Sequence, residues 1–144
     1  MKSGRLAAIA ALMAAAALMS AMVCAANAAD WVEVGADTQA KYYVDMDSIK
    51  VDGDNVSVHK RGVYTHVLTD NFGGHPTAFR ETVGVVELDC GRRINRVTRI
   101  DMIGENGEVV WSSGPLPKRL WEEVRPNSHA HTTLVVVCTR LKKI

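Results

Sequence analysis

Apolar positions along the chain fall into two regimes: residues 6–23 run without a charge, whereas from Trp31 onward apolar and polar positions mostly alternate. Alternation is the signature of half-buried strands. Trp31-Val32-Glu33-Val34 predicts the first, residues 35–39 a loop, and the aromatic, β-branched residues 41–44 a second strand, closed by residues 45–49. Val51 leads into the turn-rich Asp52-Gly53-Asp54-Asn55, and Val56-Ser57-Val58 resumes the alternation, so a hairpin is expected there. That strand continues through residues 62–67, with Val63, Tyr64 and Leu68 as buriable positions. Residues 71–77, containing Gly73-Gly74-His75-Pro76, read as an irregular loop.

In residues 80–90 the alternation changes phase at Val85-Val86, as a β-bulge beside Gly84 requires. Beyond it Val86, Leu88 and Cys90 share one face, which directs the cysteine into the core. Two patterns compete in residues 93–103. Ile94, Val97, Ile100 and Ile103 recur every three residues, as on a helix, but β-branched content and the following Asn106-Gly107 turn before Val109-Val110-Trp111 favour a strand. Pro115 and Pro117 make residues 112–118 a loop, and residues 120–124 suit a short helical turn. Pro126-Asn127-Ser128 resembles a helix start with Ser128 or Asn127 as its cap. Residues 132–137 are β-branched around Leu134, so propensity alone reads strand and local signals leave this segment open.

The charge-free run changes meaning once its flanks are considered. Lys2 and Arg5 precede it and Ala26-Asn27-Ala28 ends it, which predicts a secretory signal peptide, residues 1–28, cleaved after Ala28. Cys24 follows Ala21-Met22-Val23, which lacks the leucine-like and small residues of a lipoprotein signal, so Cys24 is expected to leave with the leader unacylated. Residues 29–144 then form one exported domain, periplasmic or at the cell surface, with no apolar stretch long enough to span a bilayer. Processing removes two of the 17 basic side chains and none of the 16 acidic ones, taking the formal charge from +1 to −1. No field of that size advertises nucleic acid. With only four prolines and eleven glycines, the composition also argues against disorder.

Cleavage leaves two cysteines, Cys90 and Cys138, in an oxidising compartment where only one pairing exists. The bridge closes a loop of about 48 residues and stabilises by about 4 kcal/mol in the chain-entropy model. Neither cysteine has the paired spacing of a zinc site or a redox motif, and no cofactor is expected. Asp45 and Asp47 share a strand face and offer a carboxylate pair, but too few neighbouring acids follow for calcium. They are expected instead to shape a turn together with Ser48. His129 and His131 point apart on a helix and together on a strand, with His66 and His75 as remote companions for a metal. Strict alternation would place Arg93 and Arg99 on one face and Arg92 and Arg96 on the other, a solvated basic stretch rather than a polyanion grip. No nucleophile elbow, zinc-protease helix or phosphate loop occurs, so an enzyme is not expected. Trp31, Tyr43, Trp111 and Trp121 are expected to pack in the core, any exposed one marking a protein-binding patch.

The order of landmarks carries a resemblance. An early Trp31 precedes Tyr42-Tyr43-Val44-Asp45-Met46-Asp47-Ser48-Ile49-Lys50; a strand-ending Cys90, a Gly-x-Val-Val-Trp hairpin closing on Trp111, then Pro126-x-Ser128 and Cys138 follow. Together they resemble the surface-adhesin protein E family of exported bacterial proteins across nearly all of residues 31–138. The resemblance implies an α+β fold: a single antiparallel sheet of about six strands in a meander, with a C-terminal helix tied to it by a disulfide. The helix would then span residues 128–141, with Leu134, Val137, Cys138 and Leu141 on one side. It further implies a non-enzymatic domain that contacts a host extracellular or cell-envelope protein and pairs as a homodimer. A soluble periplasmic accessory or stress protein is the alternative. Family members often carry an aromatic residue in the strand after the first hairpin, where this chain has His59-Lys60-Arg61.

Overall fold

The computed structural model describes residues 28–117 and 119–144. The expected leader, including Cys24, lies outside the described residues apart from Ala28. Among these residues, seven strands and one helix follow in order: β1 (Trp31–Ala36), β2 (Ala40–Asp52), β3 (Asn55–Phe72), β4 (His75–Asp89), β5 (Ile94–Ile103), β6 (Val109–Ser112), β7 (Glu122–Glu123) and α1 (His129–Arg140). Strands β1 to β6 form one antiparallel meander in sequence order, and β7 returns to pair with β5. The expected antiparallel sheet with a C-terminal helix is therefore what forms.

One face of the sheet is covered by α1, which packs over β1 and β2. The core between them is mainly valine: Val34, Val44, Val56, Val58, Val86 and Leu88 from the sheet meet Leu134 and Val137 from the helix. Each such burial contributes about 1.5–3 kcal/mol. That exceeds the few tenths of a kcal/mol by which each β-branched residue disfavours a helix, so tertiary burial decides residues 132–137. The helix also receives a cap, because the Ser128 hydroxyl accepts from the His131 N–H at 3.1 Å. The Cys90–Cys138 disulfide joins the end of β4 to the last turn.

Several expectations need correction. Residues 71–77 are not a loop: β3 and β4 continue to Phe72 and from His75, and Gly73-Gly74 is a two-residue hairpin turn. Both glycines have positive φ, 62° and 87°, a pairing that suits the twist of adjoining strands. Strand β2 does not close at residues 45–49 but passes through a bulge between Asp45 and Lys50 and runs on to Asp52. Residues 120–124 form no helical turn. Instead Glu122 and Glu123 pair with Asn95 and Ile94 of β5, and the Val124 N–H donates to the Arg93 carbonyl.

A bulge does fall at the Val85-Val86 step, since Val85 pairs with Arg99 and Val86 with Val97. The extra residue lies in β5, however, so β4 keeps its alternation and the expected change of phase does not occur. Thr98 is the extra residue opposite that step. It explains the three-residue spacing of Val97 and Ile100: a bulge, not a helix, keeps both on the helix side of the sheet. The same insertion overturns the expected division of the arginines, because Arg96 and Arg99 now share the opposite face. The large aromatics are also not core residues. Trp31, Tyr43, Trp111 and Trp121 are all half-buried, and the valines fill the interior instead.

Candidate functional site

Register assigns every strand residue to one of two faces. Tyr43, Asp45, Arg61, Val83, Val85, Glu87 and Arg96 lie on the face that α1 leaves bare, joined at its margins by Trp31 and Trp121. Two arginines organise this surface. Arg61 lies 5.8 Å from the Trp31 ring centre and pairs with Glu81 at 2.7 Å. Arg96 lies 4.5 Å from the Trp121 ring and pairs with Glu87 at 2.6 Å. Each guanidinium thus sits over an indole while also paired to a carboxylate, which limits the rotamer freedom lost on docking. Arg99 pairs with Asp101, and Ser112 donates to the same carboxylate. Burial pushes the Asp101 carboxyl up, but these two partners outweigh it and hold the group below its usual range.

Asp45 and Ser48 build the bulge beside this surface. One oxygen of the buried Asp45 accepts from the N–H groups of Asp30 at 3.1 Å and Asp47 at 3.0 Å. The Ser48 hydroxyl donates to the Asp45 carbonyl and accepts from the His59 N–H, both at 2.7 Å. Asp47 itself is exposed, and Ile49 packs against the core. The structure therefore brings Trp31, Tyr43 and Asp45 onto one face. Trp111 lies apart, stacked on Phe72 at 4.8 Å, and Pro126 precedes the Ser128 cap at the start of α1.

The covered face holds a second feature. Because α1 lies over β1 and β2, the β3–β5 half leaves an open groove of about 430 Å3. Apolar Val86, Val97, Ile100 and Met102 line it, and Gly62 and Gly84 leave its floor without side chains. At its mouth Tyr42 stacks on His129 with ring centres 4.0 Å apart, and the Lys60 ammonium donates to Nδ1 of His129. Burial lowers Lys60 to about 8. Burial and the nearby Lys60 charge likewise lower His129, against the opposing effect of Asp37. Tyr42 is raised to about 12, first by burial and then by the Asp37 carboxylate that accepts its hydroxyl at 3.2 Å.

None of Asp37, Tyr42 and Lys60 was an expected site residue. A signal for Lys60 was present: continuing the alternation of Val56 and Val58 places it on the core side, where an unpaired charge is unusual. His131 does not join His129 but meets Nη2 of Arg93 at 3.0 Å. Among the described residues no three His, Cys, Asp or Glu side chains are arranged to hold a metal ion.

Solved structures of protein E share this fold. Haemophilus influenzae protein E matches with a TM-score of 0.56 and 17% identity, covering 77% of this chain and 92% of its own. Its second crystal form gives 0.55 and 16%, covering 76% and 94%. Protein E from the non-typeable organism gives 0.55 and 16%, covering 77% and 78%. No curated protein matches significantly. The sequence model of Surface-adhesin protein E matches residues 31–139. That span runs from the first residue of β1 into the last turn of α1 and includes both cysteines, so the chain belongs to the surface-adhesin protein E family.

Proposed function

We propose that residues 29–144 are an exported, non-enzymatic binding domain that contacts a host extracellular or cell-envelope protein through the helix-free face of the sheet. The observation that carries this reading is the pair of Arg-over-Trp clusters, Arg61 on Trp31 and Arg96 on Trp121, flanking the half-buried Tyr43, Val83 and Val85. Trp, Tyr and Arg are the side chains that dominate protein interfaces. Family membership supports the same reading, and the expected signal peptide supplies the route out of the cytoplasm. Among the described residues no helix is long and apolar enough to cross a membrane.

Surface plasmon resonance against immobilised extracellular-matrix proteins, combined with protease shaving of intact cells, tests the proposal. Shaving should remove the protein, and a matrix protein should be captured about tenfold more weakly by Trp121→Ala and by Trp31→Ala, both with unchanged melting temperature. A protein that survives shaving and captures nothing would be a periplasmic accessory, and the adhesive reading would fall. Intact-mass analysis of the exported product should give a chain beginning at Ala29; an acylated Cys24 at its start would overturn the leader assignment.

A further inference from the structure

The groove on the helix side of the sheet has no part in that contact face, and its chemistry differs. Its walls and floor are apolar apart from Thr82, Asn95 and the hydroxyl of Tyr64. Lys60 supplies its charge at the mouth, with no carboxylate within ion-pair distance among the described residues. The carboxylate nearest this mouth cluster, Asp37, is already occupied by the N–H groups of Gln39 and Ala40 and by the Tyr42 hydroxyl. The Lys60 ammonium instead leans on the neutral ring nitrogen of His129, which leaves its remaining donors free for an anion.

Two glycines shape the floor. Gly84 faces Lys60 across the β3–β4 ladder, and Gly62 faces Thr82 one step further on. A Cβ on Gly62 would come within 2.9 Å of the Thr82 hydroxyl, and one on Gly84 within 3.2 Å of the Arg99 carbonyl. The sheet thus offers a shallow apolar trough leading from the cation toward Ile100 and Met102. The backbone of that floor is engaged in strand pairing, so few polar groups remain to satisfy amides laid along it. A ligand with one anionic end and a plain hydrocarbon body fits this arrangement better than a peptide does. The volume of about 430 Å3 lies within the usual small-molecule range, roughly 300–1,000 Å3.

We propose that this groove binds a medium-chain fatty acid, its carboxylate on Lys60 and its acyl chain over Gly62 and Gly84 toward Met102. Sodium decanoate, kept below its micelle concentration, is the probe, titrated into the oxidised mature protein by calorimetry and by amide NMR. Saturable one-to-one binding is expected, with the largest shifts at Gly62, Gly84 and Ile100 in the unaltered protein. Lys60→Met and decanol in place of decanoate should each weaken binding about tenfold or more. Ile100→Trp should block the trough. Absence of saturable binding, shifts confined to the Trp31–Trp121 face, or equal affinity for decanol and decanoate would overturn the proposal. So would tighter binding of a short apolar peptide with a free C-terminus. The wild-type shift map needs no variant to fold, and failure here leaves the contact-face reading untouched.

Discussion

At the scale of single residues, the structure places polar side chains where the backbone needs them. Asp45 accepts the N–H of Asp47, which the β2 bulge withdraws from the strand ladder, and the N–H of Asp30 just before β1. Asp45→Ala should therefore lower unfolding stability by about 1–3 kcal/mol, read from urea denaturation. Lys60 has the opposite character, a charge held partly out of water. Its folded value of about 8 lies below the ordinary 10.5, so between those values the folded chain binds fewer protons than the unfolded one. Stability should consequently rise with pH from about 8. Above 10 the raised Tyr42 reverses the trend, since there the folded chain retains the proton that the unfolded tyrosine loses. Urea midpoints at pH 8 to 10 should climb for the wild type and stay flatter for Lys60→Met. Equal slopes would show that Lys60 is not desolvated in solution.

At the scale of elements, α1 is the clearest case of context overriding propensity. Its β-branched residues suit a strand, yet the Ser128 cap, the burial of Leu134 and Val137 and the disulfide all act on the helix. Ser128→Ala should cost about 1 kcal/mol and Ser128→Gly only a few tenths, measured by thermal unfolding. Cys138→Ser should cost about 4 kcal/mol, and reducing the wild type should reproduce most of that loss. If both variants melted like the wild type, the helix would be held by packing alone. Strand β5 shows the converse, a correct assignment despite a misleading three-residue spacing. The inserted Thr98 puts Val97 and Ile100 on one face despite their three-residue spacing, and an insertion of this kind leaves no mark in composition.

At the scale of the whole molecule, the distribution of sheet edges decides how copies could pair. The far side of β5 is taken: β6 covers one end, Ser113 and Leu116 donate to the carbonyls of Ile100 and Thr98, and β7 covers the other end. Among the described residues the two end strands of the meander have no neighbour on their outer sides, and β1, with six residues against four in β6, is the longer edge. A homodimer by strand addition is therefore expected to use β1. Sedimentation equilibrium should reveal concentration-dependent association. Amide exchange should show β1 gaining protection as concentration rises, whereas β5 is protected throughout. A concentration-independent β1, or a strict monomer, would exclude this mode.

Alternation, turn residues and the two cysteines beyond residue 28 determined by themselves that the chain makes antiparallel strands and carries a bridge from Cys90 to Cys138. These are properties of neighbours in sequence or of a pairing with one solution. Tertiary structure alone decided that residues 132–137 are helical, that Gly73-Gly74 turns a long ribbon, and that Glu122-Glu123 covers β5. It also decided that Trp31 and Trp121 stand on the bare face while valines fill the core. The physical reason is that these choices depend on which surfaces meet. Local propensity differences of tenths of a kcal/mol are outweighed by burial contributions of about 1.5–3 kcal/mol per side chain. Lys60 shows the same division: its inward position follows from alternation, but its imidazole partner and open groove arise only when α1 comes to rest on half of the sheet.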